Sequence, residues 1–399
     1  MQHRADPAPP GASGRGEPPR LLFVVNVDWF FLSHRLVLAR AARDAGLHVT
    51  VAAADTGHAA EVRAEGLDFV PLRLTRDGTG IGGELAALVS LGRLYRRLKP
   101  DLVHHVTIKP VLYGSVAAKL RPGMGVVNAI SGLGWVFSSG GGSGALRTVA
   151  QGAYHTALGG ARTRTIFQNP EDRDEFVRKG LVRAGSTVLI RGSGVDPVRF
   201  RPAPEPPGQP IVMLASRMLW EKGVGQFVDS ARELRGRGVN ARFVLVGRAD
   251  DENPTGVPEA QLKAWVDEGV VEWWGNRGDM HDVLAQAAVV ALPTFYKEGL
   301  PKVLLEAAAS GKPLVATDIP GCREIVRPDV NGILIPPRDV PALTAALARL
   351  LAAPELRARL GAASRAVAEA EFTEARVVGQ TLAIYRELLG SRWPGGAAP

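Results

Sequence analysis

A proline-rich interruption constrains the fold of this chain more than any other stretch. Residues 197–210 read Pro-Val-Arg-Phe-Arg-Pro-Ala-Pro-Glu-Pro-Pro-Gly-Gln-Pro, and six prolines in that span admit neither an inner strand nor a helix. On each side of it, short apolar runs alternate with amphipathic stretches. Such alternation signals an open parallel sheet covered by helices, and its restart after a linker predicts two of them. At 399 residues the chain is also too long for one ordinary core. The expected class is therefore α/β, with doubly wound domains at 21–196 and 211–373.

Residues 1–20, rich in Pro, Gly, Ala and Arg, read as a disordered arm. Leu21–Val27 is a continuous apolar strand, as a sheet covered on both faces requires. It runs into Asp28-Trp-Phe-Phe-Leu-Ser-His-Arg35, where Ser33 is a candidate cap for a helix reaching Ala45. Strands follow at His48–Ala53, Asp68–Leu72 and Leu102–Val106, with helices near Ala59–Glu65 and Gly83–Leu98. Thr107-Ile-Lys-Pro110 and Asn128–Phe137 then lie at the carboxyl edge, where open α/β sheets bind ligands. The Gly-Ser run 138–144 reads as a mobile loop. Strands at Thr165–Gln168 and Thr187–Ile190 complete the first domain, with Asn169 as a helix cap between them. Beyond the linker, strands are expected at 211–214, 243–246, 270–274, 289–292, 313–317 and 332–335. The intervening helices fall near 223–236, 258–267, 279–287, 301–310 and 322–327. Helices at 340–352 and 355–370 and an amphipathic segment, Glu374–Leu389, close the chain.

One cysteine, Cys322, allows no intramolecular disulfide and fits a reducing compartment. No apolar run reaches the roughly 18–20 residues that span a bilayer, and the N-terminus lacks a signal-peptide core, so a cytoplasmic protein is expected. The net charge of +8 is lopsided. Residues 1–200 hold 25 Lys+Arg against 16 Asp+Glu, or +9, which leaves −1 for the remainder. Zinc-finger spacings, RNA-binding signatures and a Lys-rich tail are missing, so nucleic acid is not an expected partner. Arg93, Arg96, Arg97 and Lys99 end the long helix of this basic half, interleaved with Leu91, Leu94, Tyr95 and Leu98. They serve either as partners of the helix dipole or as a patch resting on anionic lipid.

The chemistry concentrates in the second domain. Glu298-Gly-Leu-Pro-Lys-Val-Leu-Leu-Glu306 sets two carboxylates eight positions apart around a Gly299-Leu300-Pro301 turn. Pro301 suits the first helical position, and Gly311 with Pro313 ends the helix. Glu306, surrounded by Val303, Leu304, Leu305 and Ala307–Ala309, must find hydrogen-bond donors or lose its charge. Sugar hydroxyls would serve; so would an i,i+4 pair with Lys302. Upstream, Ser216–Gly223 places Arg217 and Lys222 at a strand's carboxyl end beside a helix start, the components of a diphosphate site. Gly247 ends the next strand and would permit close approach of a ligand. No metal cage is suggested, and no dinucleotide fingerprint follows the first strand, so neither a metal nor a cofactor is expected.

The E-x7-E of Glu298 and Glu306, the Arg217…Glu221-Lys222-Gly223 loop and Gly194-Val-Asp196 resemble retaining glycosyltransferases of the GT-B fold, in the family-4-like group. Asp28–Arg35, Thr107–Pro110 and Ser131-Gly-Leu-Gly134 resemble the bacterial subgroup acting in O-antigen, capsule and exopolysaccharide assembly. The resemblance implies two Rossmann-like domains facing across a cleft, the first completed by Glu374–Leu389. It also implies retention at the anomeric carbon, a nucleotide-diphosphate sugar donor (a UDP-sugar expected) and a polyprenyl-diphosphate-linked or polysaccharide acceptor at the inner membrane face. Carried over, Arg217 and Lys222 would hold the diphosphate, Glu306 the ribose and Glu298 the transferred sugar. The backbone of Gly299, Leu300 and Pro301 would lie alongside, with Asn276-Arg277 at the base. Asp28, His34, Lys109 and His105 are acceptor-side candidates. Many relatives carry His-x-His after the fourth strand; here His104-His105-Val106 puts Val106 in the second place and turns His105 to the other face. A nucleotide-sugar 2-epimerase shares the architecture but needs carboxylates in the first domain. A non-catalytic sugar-nucleotide-binding scaffold would not need Arg217, Lys222 and Glu298 intact.

Overall fold

The computed structural model describes residues 17–72, 81–130, 152, 154, 155, 157–251 and 253–394. Most of the arm, the Ser131–Gly134 motif and the Gly-Ser run 138–144 lie outside the described residues.

The first sheet has seven parallel strands: β1 Arg20–Val27, β2 His48–Ala54, β3 Asp68–Pro71, β4 Leu102–Val106, β5 Gly125–Ile130, β6 Thr163–Phe167 and β7 Thr187–Leu189. Their order is β3-β2-β1-β4-β5-β6-β7. The second sheet has six: β8 Ile211–Ala215, β9 Arg242–Val246, β10 Glu272–Trp273, β11 Val289–Leu292, β12 Leu314–Thr317 and β13 Gly332–Ile335. Their order is β10-β9-β8-β11-β12-β13. The order in which strands are added reverses between β1 and β4, and again between β8 and β11, while all strands stay parallel. At such switch points the loops diverge and leave a crevice beyond the carboxyl ends. Buried Val, Leu, Ile, Met and Ala on both faces of β8 and β11 explain why these strands read as unbroken apolar runs; β4 is as deeply buried but carries His104 and His105.

Several local expectations are corrected. Asp28–His34 is itself a helix, and the next helix, Leu36–Asp44, is preceded by Arg35 without a side-chain cap, so Ser33 caps nothing. Asn128–Ile130 belongs to β5 rather than following it. The ladder of β10 is only two residues long, because Val270 and Val271 pack into the core before the chain meets β9. The helix expected at 322–327 is the single turn Pro320–Arg323. Asn169 does cap the helix Pro170–Arg178, accepting from the Asp172 amide at 2.8 Å.

Residues 197–210 carry no helix or strand but are held in place. Arg365 donates to the carbonyls of Pro197, Phe200 and Ala309, and Arg357 pairs with Glu205 at 2.7 Å. The helix Glu374–Leu389 crosses back to the first domain, where Val377, Ile384, Tyr385 and Leu388 join the core of Phe23 and Val106. The two chain crossings lie side by side: the Val195 amide bonds Phe372 O and the Glu374 amide bonds Val195 O. Gly194, at φ +81°, permits this contact, since a Cβ there would stand 2.6 Å from the Glu374 backbone.

Candidate active site

The switch points of the two sheets face one another across a cleft of about 620 Å³. From the second domain come Ser216, Arg217, Lys222, Tyr296 and the run Lys297–Val303 with Glu306; from the first come Asn26, Trp29, His34, Arg35, Thr107 and Lys109.

The basic loop is built by backbone bonds. After β8, the Met218 amide bonds Arg248 O and the Trp220 amide bonds Thr255 O, and a tight turn at Trp220–Lys222 leads to Gly223 at φ +79°. A Cβ on Gly223 would stand 2.2 Å from Pro293 O, so only glycine lets this loop lie on the exit of β11. The Glu221 carbonyl in turn accepts from the Phe295 and Tyr296 amides, fastening the loop 293–298 to the basic one. Lys222 is thereby set against Glu298, in direct ion-pair contact, with Thr294 Oγ1 3.2 Å from the same carboxylate. Arg217 pairs with Asp250 at 3.2 Å. Both cations brought together by the loop thus carry a carboxylate partner.

Pro301 precedes the helix Lys302–Ala309 instead of opening it; its extended backbone (ψ 117°) makes it the N-cap. The amides of Gly299, Leu300 and Lys302 make no backbone hydrogen bond among the described residues, so donors of a helix start face the cleft beside Lys222. Glu306 is nearly buried, and desolvation pushes its carboxyl above the usual range, opposed by Lys302 and Arg199. Its ion pair with Lys302 is present but loose, at 3.5 Å, because Lys302 also donates to Ser33 O across the cleft at 2.7 Å. The pair and the ligand-facing position therefore coexist.

Other candidates fall elsewhere. Gly247, at φ +145°, makes its close approach to protein: a Cβ would stand 1.7 Å from Ser216 O. It lets β8 and β9 splay into their loops and does not line the cleft. Asn276 and Arg277 are exposed outside the cleft walls, with Arg277 held by Asp279 at 2.8 Å.

On the first-domain side, Asp28 is wholly buried. Burial raises its pKa, but the Thr56 hydroxyl and the amides of Thr56, His58 and Trp29 outweigh that and hold it below the usual range. It clamps β1 to the loop after β2 and is not turned to a ligand. His105 is likewise buried, bonded to Tyr95 at 2.7 Å and Asn128 at 2.8 Å, and burial pushes it down to about 4. It faces away from the cleft, as strand alternation requires. His34 and Lys109 do line the cleft. His34 stacks on Phe30 at 4.1 Å, and burial, then Lys302 and Arg35, push it down to about 3, so it is neutral at pH 7.

Sequence reasoning missed Asn26 and, although it placed the segments Asp28–Arg35 and Thr107–Pro110 near a ligand, named neither Trp29 nor Thr107 as a site residue. Thr107 sits in the left-handed region at φ +76°, a strained conformation for a β-branched residue, at the carboxyl end of β4. Trp29 lies 5.9 Å beneath the guanidinium of Arg248 across the cleft. Of these, Asn26 and Thr107 carried a signal, their place at the ends of the two switch-point strands. Among the described residues the first-domain wall presents no carboxylate, and no cluster of three His, Cys, Asp or Glu is grouped as a metal site would require.

Comparison with known proteins accords with this geometry. Residues 20–168 match the family model "Glycosyl transferase 4-like" and residues 209–353 match "Glycosyl transferases group 1". A relative from Campylobacter jejuni, the N,N'-diacetylbacillosaminyl-diphospho-undecaprenol alpha-1,3-N-acetylgalactosaminyltransferase, is 28% identical over 352 residues, covering 83% of this chain and 91% of its own. Sucrose-phosphate synthase from Thermosynechococcus elongatus superposes with a TM-score of 0.75 at 20% identity, over 93% of this chain and 99% of its own. HepE from Anabaena, solved with UDP, does so with a TM-score of 0.74 at 19% identity, over 92% and 100%. These are GT-B structures, and the two-domain fold of this chain is theirs.

Proposed function

This chain belongs to the family-4-like glycosyltransferases of the GT-B fold, and from that premise we propose a retaining enzyme of bacterial cell-surface glycan assembly. Its donor is a nucleotide-diphosphate sugar, a UDP-sugar first, and its acceptor a lipid-linked sugar or growing polysaccharide. The observation that carries the reading is the Lys222–Glu298 pair at the mouth of the helix Lys302–Ala309. An arriving diphosphate takes Lys222 and Arg217 from their carboxylates and accepts from the amides of Gly299, Leu300 and Lys302. Glu298, released, accepts from the hydroxyls of the transferred sugar, and Glu306 accepts from the ribose. The departing diphosphate, its charge stabilised by both cations, takes the proton of the attacking hydroxyl on the same face of the sugar. The protein orients and stabilises.

The name of the Campylobacter relative includes a diphospho-undecaprenol acceptor, which favours a lipid-linked substrate here as well. Among the described residues the first-domain wall holds none of the carboxylates an epimerase needs, which favours transfer. The test is a panel of UDP- and GDP-sugars incubated with the purified protein and no acceptor. Slow hydrolysis of one of them is the expected result; release of a 2-epimer, or turnover of none, refutes the assignment.

We further propose docking to anionic membrane. Arg93, Arg96, Arg97 and Lys99 are exposed, whereas Leu91, Leu94 and Tyr95 between them are core residues. The contact is therefore electrostatic, helped by Leu120, which is 77% exposed and packs near Gly92 of the same helix. Flotation with phosphatidylglycerol vesicles is expected at low salt and is expected to fail after Arg93, Arg96 and Arg97 become Glu. Equal flotation by the variant counts against this surface.

A further inference from the structure

Arg35 is a buried cation without a counter-ion. It is 7% exposed, its Nη1 donates to His34 O at 3.0 Å, and its Nε has no partner. No carboxylate lies within ion-pair distance among the described residues. The other arginine buried to the same degree, Arg357, shows what a satisfied one looks like: it pairs with Glu205 and donates to Leu350 O and Leu351 O. An unmatched guanidinium in the interior is strongly destabilising, and such a charge persists where something binds it.

The guanidinium borders a small chamber at the junction of the first sheet, the crossing helix Glu374–Leu389 and Lys302 of the second domain. His104, 1% exposed, borders it too, and its Nε2 is also without a partner. The other ring nitrogen bonds the hydroxyl of Tyr385. The Tyr385 hydroxyl makes no other hydrogen bond among the described residues, so it is assigned as the donor to Nδ1, which leaves the hydrogen on Nε2. Two unused N–H groups thus border one space. Glu374 is the carboxyl at its edge; burial and the neighbouring Asp196 push it upward, which favours its neutral form. The chamber opens onto the main cleft past Ser33, Gln168, Ser193 and Lys302.

We propose that the Arg35–His104 chamber seats a phosphate group of the acceptor, separate from the donor diphosphate site at Arg217 and Lys222. Arg35 supplies the charge and a fork of donors, His104 one neutral N–H, and Lys302 a second cation at the mouth. The anion site stands on these residues alone; its assignment to the acceptor rests on the glycosyltransferase reading.

The test uses the full chain carrying Lys222→Ala, which disables the donor site. Inorganic diphosphate and farnesyl diphosphate are each expected to raise its melting temperature. Adding Arg35→Met is expected to abolish both rises without lowering the melting temperature of the anion-free protein, because it removes an uncompensated charge. An equal rise in the double variant, no rise in Lys222→Ala, or an anion-free melting temperature lowered by Arg35→Met overturns the site. A rise with inorganic diphosphate alone marks a free-anion site and overturns the acceptor assignment. Transfer by the otherwise native enzyme then compares farnesyl-diphosphate-linked N-acetylglucosamine with the octyl glycoside of the same sugar. Arg35→Met is expected to cut the preference for the diphosphate acceptor at least tenfold. A structural role would depress both acceptors alike and keep the ratio, which refutes the acceptor assignment. If wild type glycosylates neither acceptor, the proposed function fails, and the melting experiment still decides the anion site.

Discussion

Lys222→Ala is expected to reduce transfer about 10²–10³-fold, the usual loss when one preorganised donor to a developing negative charge is removed. The effect is large because nothing nearby can substitute. Arg217 already serves the same diphosphate, and the loop that presents Lys222 is fixed by Gly223 against Pro293 and by Glu221 against Phe295 and Tyr296. The fold is expected to survive. Truncation leaves Glu298 without its cation, but Thr294 Oγ1 remains 3.2 Å away and the carboxylate borders the open cleft. A loss of about 1–3 kcal/mol is then reasonable for a carboxylate stripped of one partner. Circular dichroism and thermal melting check the fold, and nucleotide release checks turnover. Turnover within threefold of wild type would remove Lys222 from the site. Lys222→Arg is expected to restore part of the rate, since it returns the charge with a different reach.

For Glu306→Gln the expected outcome is a weaker donor complex in a protein that is no less stable. The folded carboxyl of Glu306 is raised by burial, with Lys302 and Arg199 opposing. A carboxyl raised on folding binds its proton more tightly in the native state. Its stabilising contribution is therefore complete below the unfolded value and disappears as pH rises through the folded one. Above the folded value the free protein bears the cost of the buried charge, and the neutral amide relieves it. Melting curves from pH 4.5 to 8 are expected to fall less steeply with pH in the variant. Donor binding responds in the opposite sense, because hydrogen bonds to a charged acceptor contribute about 1.5–3 kcal/mol. A rise in donor KM of about 10–100-fold follows, and Glu306→Ala, which removes the acceptor atoms altogether, is expected to abolish transfer. A variant with wild-type donor KM, or one that melts lower at pH 7, would refute this account of Glu306.

The elements were legible where chemistry is local. The helix Glu374–Leu389 and the strands β4, β11 and β13 fall where amphipathic period and apolar run place them. The Asn169 cap and the Gly311 stop, at φ +69°, follow from side-chain and backbone chemistry within one turn. Errors arose where a neighbour distant in sequence decides. Ser33 looked like a cap, yet it lies inside the helix Asp28–His34, packed against β1, and Arg35 stands at the start of the next helix. Gly247 looked like a ligand contact until the Ser216 carbonyl filled its open side. Asp28 and His105 are polar residues near a sheet edge, which from sequence alone suggests a site. Four donors around one and Tyr95 with Asn128 around the other absorb them into the core.

By itself the sequence determined two parallel sheets, their separation at 197–210 and the presence in the second domain of a strand-end basic loop and of the carboxylates Glu298 and Glu306 eight positions apart. Periodicity, proline content and strand-end position are properties of short stretches, and backbone sterics read them directly. Tertiary structure alone decided which charges meet. Lys222 finds Glu298 across 76 residues, and His104 finds Tyr385 across 281. It also decided that Arg35 is buried with no carboxylate to match it among the described residues. Desolvation and ion pairing depend on distances that only the closed fold sets, so no local pattern could have announced that charge.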